Sequence, residues 1–433
     1  MRGIAHCVCA LAVVVGGPGS ALADEPCQLQ RLLAPGPYAS TSFGNAVARS
    51  GEYWFVADYR AEVLCTGFGC GAGAVYVYQM IDGQLEHVQT LTSPFPQSPD
   101  NYGISIDADD VHLVVGAPFS GLPGRSDRPG AVFVYRLSDG SWAESARIEP
   151  PAEALEFGTE VAVDNGQLLV SENYNDRLGR LPRVLAYEAR GSNWELRDIV
   201  SRPDDVSENS WFGIALSLSN ERLVVGAPFD RAERTNGGSV HVYRRSVDGT
   251  YELEQSLRVD AAERIGRSIS ISGSRLLAGA PLATRDFEFQ GVVYEYEFDG
   301  SQWVQSAEIR SNEPDQQDTF GTTVTLEGNQ LFVTAEGDSV GSVQAFGRSA
   351  DGDWQQQSRI VPDTTTLALR FGWSMATDGR FLLVGAPEES DVFSSDDYGA
   401  AYFFDLACTD CQPDLDLDGS LTIYDFLTFL NLF

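Results

Sequence analysis

The sequence predicts an all-β fold, a propeller of seven four-stranded blades, from three observations along its 433 residues. A large apolar residue followed by glycine recurs at Phe43-Gly44, Tyr102-Gly103, Phe157-Gly158, Phe212-Gly213, Ile265-Gly266, Phe320-Gly321 and Phe371-Gly372, at intervals of 51 to 59 residues. Further along each unit an apolar run ends in Gly-Ala-Pro. It is intact at Val115–Pro118, Val225–Pro228, Ala278–Pro281 and Val384–Pro387, and worn at Val56-Ala57-Asp58-Tyr59, Val170-Ser171-Glu172-Asn173 and Val333-Thr334-Ala335-Glu336. A third segment alternates apolar and aromatic residues, as in Val75-Tyr76-Val77-Tyr78 and Val132-Phe133-Val134-Tyr135, the period-two pattern of a strand.

Each element has a local reason. Glycine after the aromatic residue lets two backbones approach closely. Asn165-Gly166 and Asp378-Gly379 are tight hairpin turns between the first and second strands. The proline of Gly-Ala-Pro ends the second strand, because it has no N–H to donate. The fourth segment follows a turn and often opens on tryptophan (Trp142, Trp194, Trp303, Trp354). Four short strands cannot bury both faces alone, so the units must stack on one another, and a radial stack is the compact solution. The last unit, from Phe371 to Ala407, lacks an outer strand. Residues 27–42 are about the missing length, and Gln28–Leu33 looks like the fourth-strand segments His87–Leu91 and Glu254–Leu257. The N-terminal strand is therefore expected to complete the last blade and close the ring.

With these motifs in register, residues 27 to 407 resemble the FG-GAP repeat family, whose best-known domain is the β-propeller of integrin α subunits. The resemblance implies a ligand-binding role for the end of the propeller where the longer loops emerge. Those loops are Phe119–Pro129, Phe229–Asn236, Leu282–Gln290 and Glu388–Tyr398, with Phe119, Phe229, Phe287, Phe289 and Phe393 among charged residues. Loops on a rigid scaffold are a usual seat of recognition. Many FG-GAP blades carry an acidic calcium loop between the first two strands. Here that connection is short, as in Ser272-Gly273-Ser274 and Glu327-Gly328-Asn329, with too few carboxylates to surround Ca²⁺, so no calcium is expected within the propeller.

The tail differs. Asp414, Asp416, Asp418, Ser420, Thr422 and Asp425 fall at ligand positions of a 12-residue EF-hand loop, with Gly419 at the sharp turn. Asp414, Asp416, Asp418 and Asp425 would supply side-chain oxygens and Ser420 a carbonyl. Aspartate at the last position is similar to dockerin repeats, so residues 408–433 look like a single dockerin-type repeat that binds Ca²⁺. Ile423, Phe426, Leu427, Leu430 and Phe433 give the following helix an apolar stripe. That stripe packs on the propeller, serves in sorting, or docks a cohesin-like partner.

Arg2, the apolar run Val8–Val15 and Ala21-Leu22-Ala23 read as a secretory signal peptide, residues 1–23. The expected organisation is signal peptide, propeller at 24–407 and calcium-loop tail at 408–433, in a protein that is secreted, extracellular or held at the cell surface. Cys27, Cys65, Cys70, Cys408 and Cys411 remain after cleavage, and an exported chain favours disulfides. Cys65 and Cys70 could close a small loop, and Cys27 with Cys408 or Cys411 could fasten the ring. Acidic residues number 62 against 29 basic ones, all arginine, for a net charge of −33. Such a surface repels phosphate backbones and anionic lipid, which disfavours nucleic acid and membrane partners. No downstream segment is apolar and long enough to span a membrane.

Catalytic signals are absent from the sequence: His87, His112 and His241 lie in different units, and no nucleophile elbow, zinc-binding helix or phosphate loop occurs. His241, in an alternating strand, is expected to be packed. The functional expectation is a non-catalytic binding or adhesion propeller with a protein or glycan ligand on the long-loop face. The alternatives are an extracellular polysaccharide hydrolase or lyase and a structural component of the cell surface. A central channel lined by clustered carboxylates and arginine would favour the enzyme, and a filled channel would favour binding.

Overall fold

The computed structural model describes residues 26–407 except 36–41, 63–70, 97–98, 122–128, 152–153, 173–180, 192, 232–236, 260–262, 338–340, 364–366 and 391–398. The described residues form seven four-stranded antiparallel sheets and one two-stranded ribbon, Leu367–Leu369 with Glu388–Ser390. We number the blades by the sequence order of their innermost strands: Val47–Ser50, Ile106–Ala108, Val161–Asp164, Ala215–Ser219, Ser268–Ser272, Val324–Glu327 and Ser374–Thr377. Each innermost strand touches the next, and that of blade 7 touches that of blade 1. This is a seven-bladed β-propeller. Blade 2 shows the common meander: Ile106–Ala108, His112–Ala117, Ala131–Ser138 and Ser141–Ile148, each pairing with the next.

The alternation read from the third segments becomes a division of the core. In the second strand of blade 1, Tyr53, Phe55 and Ala57 pack toward blade 2, while Trp54 and Val56 pack toward blade 7. The buried apolar residues thus fall into seven clusters, one at each blade interface, because successive strand residues point to opposite faces of the sheet. The cluster between blades 7 and 1 holds Phe43, Trp54 and Phe403, with Trp54 and Phe403 edge to face at 5.2 Å; such pairs add to the burial term.

The recurrent glycines sit where blades meet. In every blade the amide of the Phe-Gly glycine donates to the carbonyl at the glycine position of Gly-Ala-Pro, from Gly44 N to Ala57 O (2.9 Å) through Gly372 N to Gly385 O (3.0 Å). Where Gly-Ala-Pro is intact, its glycine lies directly on the Phe-Gly carbonyl of the following blade. A Cβ on Gly116, Gly226, Gly279 or Gly385 would stand 2.0–2.1 Å from the carbonyl oxygen of Gly158, Gly266, Gly321 or Gly44. In the worn copies the contact is rebuilt with a side chain: Ala57 Cβ meets Gly103, Ser171 Cβ meets Gly213, and Thr334 packs on Gly372 while its hydroxyl donates to the Gly372 carbonyl at 2.7 Å.

A second periodic feature was not legible from the motifs. In blades 1 to 6 the pairing of the third and fourth strands slips by one residue at the same place, leaving Val88, Ser145, Arg197, Glu254, Ser306 and Gln357 as bulge residues; a bulge bends the strand and increases its twist. The strand Cys27–Leu32 pairs antiparallel with Ala400–Asp405 at the outer edge of blade 7, and its slip falls between Gln28 and Gln30, at Leu29. Cys27 and Leu32 are buried there. Cys65, Cys70, Cys408 and Cys411 and the whole segment 408–433 lie outside the described residues.

The glycine contact predicts asymmetric substitution costs. Gly279→Ala is expected to lower stability by roughly 2–4 kcal/mol, because backbone atoms of two blades must separate. Ala57→Gly, at the equivalent site in blade 1, is expected to cost only about 1 kcal/mol. Urea denaturation of the two variants checks this, and equal costs would refute it.

Candidate binding site in the central channel

The innermost strands start immediately after each Phe-Gly pair, so the residues following the glycine converge on the propeller axis. Most of them are small or aliphatic, such as Ala46, Ile104, Ile214 and Ala215. Three break the pattern: Glu160 in blade 3, Arg267 in blade 5 and Trp373 in blade 7, and all three line a cavity of about 520 Å³ bordered by every blade. Tyr59, Arg60, Pro387 and Glu388, which follow second strands, line the same cavity and locate it at the long-loop end. The channel is therefore not filled at this mouth.

Cations and an aromatic ring dominate the rim. The Arg370 guanidinium lies 4.7 Å and that of Arg267 5.7 Å from the Trp373 ring centroid, distances at which the ring quadrupole attracts a cation. Arg370 Nε also reaches Glu388 at 3.1 Å and Glu336 at 3.6 Å. Arg60 lies over Tyr59 at 5.0 Å. Arg370 holds a left-handed backbone (φ 59°) immediately before its Phe-Gly pair, as do Asn101, Glu156, Trp211, Arg264 and Thr319 before theirs. This conformation is costly for a bulky or β-branched residue, so the fold imposes it at the same point in six blades.

The opposite mouth has other chemistry. A cavity of about 780 Å³ there is lined by the first hairpins of blades 2 and 3, with Asp107, Asp109, Asp110, Asp164 and Glu327 and no arginine. Glu160, Ile106, Leu216, Ile269 and Met375 line both cavities and mark the waist between them. Asp107 accepts the amides of Ala108 (2.9 Å) and Val163 (2.7 Å), yet burial outweighs these bonds and pushes its carboxyl up to about 7. Glu160 keeps some exposure to the channel but is pushed up to about 8, first by burial and then by Asp107, with Arg267 opposing. Glu336 is raised as well, mainly by burial. Near neutral pH, Glu160 is thus mostly an uncharged acid that can donate a hydrogen bond.

Of the aromatic residues nominated from the long loops, neither Phe229 nor Phe287 lines this cavity, whereas Glu388, at the start of the last of those loops, does. Phe229 packs against Trp211, the rings tilted and 4.2 Å apart, with the Arg264 guanidinium over it at 4.4 Å, and Phe287 is exposed; Phe393 and the proposed calcium ligands Asp414, Asp416, Asp418, Ser420 and Asp425 lie outside the described residues. No group of three or more His, Cys, Asp or Glu placed to hold a metal occurs among the described residues. His241 is buried between Ser239 (2.8 Å) and Ser256 (2.9 Å), and burial lowers its pKa to about 4. With no solvent path, this hydroxyl–imidazole chain is packing rather than a nucleophile. Glu160, Arg267, Arg370 and Trp373 were missed because the motifs draw attention to what repeats. Aligning the residues that flank each Phe-Gly pair would have exposed them.

The FG-GAP repeat family model matches residues 202–243 and 354–404 of this seven-bladed β-propeller. Among solved structures it is similar to a protein from Lactobacillus plantarum (14% identity, TM-score 0.51, covering 81% of this chain and 99% of that one). It is also similar to a protein from Bacteroides fragilis provisionally described as a 6-phosphogluconolactonase (14% identity, TM-score 0.49, covering 72% and 82%). At this identity the first likeness speaks for the fold alone. No curated protein matches the sequence.

The raised carboxyls give a sign-definite pH dependence. Between the ordinary carboxylate range and about pH 8 the folded chain retains protons on Asp107 and Glu160 that the unfolded chain has released, so these groups lower stability as pH rises through that window. Glu160→Gln, which cannot ionise, is expected to change stability little at pH 4 and to stabilise progressively up to pH 8. Urea midpoints across pH test this, and a stabilisation independent of pH would refute it.

Proposed function

We propose that this protein is a secreted or cell-surface recognition propeller that binds its ligand in the long-loop mouth of the central channel. The observation that carries the reading is the open cavity bordered by all seven blades, where arginine, tryptophan and a carboxylic acid replace the small residues found at equivalent positions. Its volume lies within the range of about 300–1,000 Å³ usual for ligand pockets. Specificity loops on the same end, including the Trp211–Phe229 pair, would extend the contact surface.

A second reading is favoured by a specific observation. Carboxyls raised into the neutral range beside arginine in an open channel are what an extracellular polysaccharide hydrolase or lyase would use as proton donor and acceptor, and the unfilled channel weighs toward it. Recognition remains the primary reading because Glu160 has no hydrogen-bonded base or nucleophile beside it among the described residues.

Two further elements complete the proposal. The strand Cys27–Leu32 acts as the clasp of the ring, since its bulge matches those of the other six outer strands; a disulfide from Cys27 to Cys408 or Cys411 would reinforce it, because Cys27 lies opposite Asp405, close in sequence to both. Residues 408–433 bind Ca²⁺ through Asp414, Asp416, Asp418, Ser420 and Asp425 and serve docking or sorting.

A glycan and protein array probed with the mature chain is expected to yield ligands that Ile104→Trp abolishes by plugging the mouth, tryptophan being native at the equivalent position in blade 7. Channel ligands should survive both chelation and truncation at 408, whereas capture by a cohesin-type module should be lost in both. Hits indifferent to the plug would sink the channel reading. Deleting residues 24–33 is expected to destabilise the propeller by roughly 3–6 kcal/mol, the worth of two or three buried apolar side chains, and an unchanged thermal midpoint would remove the clasp.

A further inference from the structure

We propose that the channel mouth is a subsite for a hydroxyl-rich ligand bearing a carboxylate, an acidic saccharide of the uronate class; this rests on the channel reading above and names its ligand chemistry.

Charge is distributed unevenly along the axis. The chain carries net −33, yet Arg60, Arg267 and Arg370, from blades 1, 5 and 7, converge on one mouth, where Glu388 and Glu336 offset only part of their charge, while the far mouth holds Asp107, Asp109, Asp110, Asp164 and Glu327 with no arginine in its lining. The channel is polarised, attractive to an anion from the loop end and repulsive beyond the waist. In a cleft with low-dielectric walls such a field is focused on the entering group. The planar fork of arginine suits a carboxylate, which it can hold through two parallel bonds. Glu160 at the waist, retaining its proton, offers a donor where an ionised glutamate would repel.

Four hydroxyls at this mouth already spend their hydrogens on the fold: Ser268 donates to Gly321 O (2.8 Å), Ser374 to Gly44 O (2.8 Å), Thr322 to Thr319 O (2.8 Å) and Thr323 to Trp373 O (3.1 Å). A hydroxyl that has donated keeps only acceptor lone pairs. Along this part of the wall a ligand meets acceptors, which suit one that brings its own O–H donors, as a sugar does. Donors from the ligand along the wall and an anion at the arginine rim together define a sugar acid, not a neutral sugar or a simple anion.

Calorimetry on the full mature chain with trigalacturonate and with its neutral methyl ester tests this. The acid is expected to bind at least tenfold more tightly than the ester, with Arg267→Met and Arg370→Asn each cutting that acid-over-ester preference several-fold; asparagine tolerates the left-handed backbone at 370. Equal binding of acid and ester, both abolished by Ile104→Trp, would overturn the carboxylate assignment and leave the channel reading standing. Binding of neither would overturn it as well, and the array then judges the channel reading independently.

Discussion

The structure depends on a backbone contact repeated around the ring: the glycine of one blade's second strand lies on the carbonyl of the next blade's Phe-Gly pair. A Cβ in that space would stand about 2 Å from the oxygen at four of the seven interfaces. Glycine is there because blades must come this close for the aromatic residues beside it to meet. Phe43, Tyr102, Phe157, Phe212, Phe320 and Phe371 are fully buried, each wedged between its own blade and its neighbour. The three interfaces with alanine, serine or threonine in place of the glycine show that the constraint is on fit, since each side chain occupies space that the following glycine leaves open. Thr334 adds a hydrogen bond to the same carbonyl.

That contact also determines what the channel can be. Because the Phe-Gly backbone is held at both ends, by a hydrogen bond from the glycine amide within its blade and by packing from the previous one, the next residues have little choice but to face the axis. Serine and threonine there donate to carbonyls of the neighbouring blade, as Ser268 and Ser374 do, and lace the innermost strands together. Glu160, Arg267 and Trp373 depart from these small residues and line the channel mouth on a rigid frame, an arrangement that would keep the entropic cost of binding a ligand low.

Blade number, strand order and the buried aromatic positions were legible because they repeat: one alternating segment is a strand, and seven in register are a ring. The bulge in each outer hairpin left no mark, since Val88, Ser145, Arg197, Glu254, Ser306, Gln357 and Leu29 share no side-chain chemistry; it is set by the twist that the third and fourth strands need. The channel site was legible only as departures from the repeat. Nothing local to Glu160 or Asp107 foretells a raised carboxyl, which arises where blades 2 and 3 bring two largely desolvated acids near one another along the channel.

By itself, then, the sequence determined that this is a repeated all-β chain with glycine at each interface, because strand periodicity and the space for a Cβ are properties of single residues and their spacing. Only the tertiary structure decided that one mouth of the axis gathers arginine and tryptophan while the other gathers carboxylates. Those residues are separated by one to several repeats, and their fields add only after the ring has brought them within a few ångströms of one another.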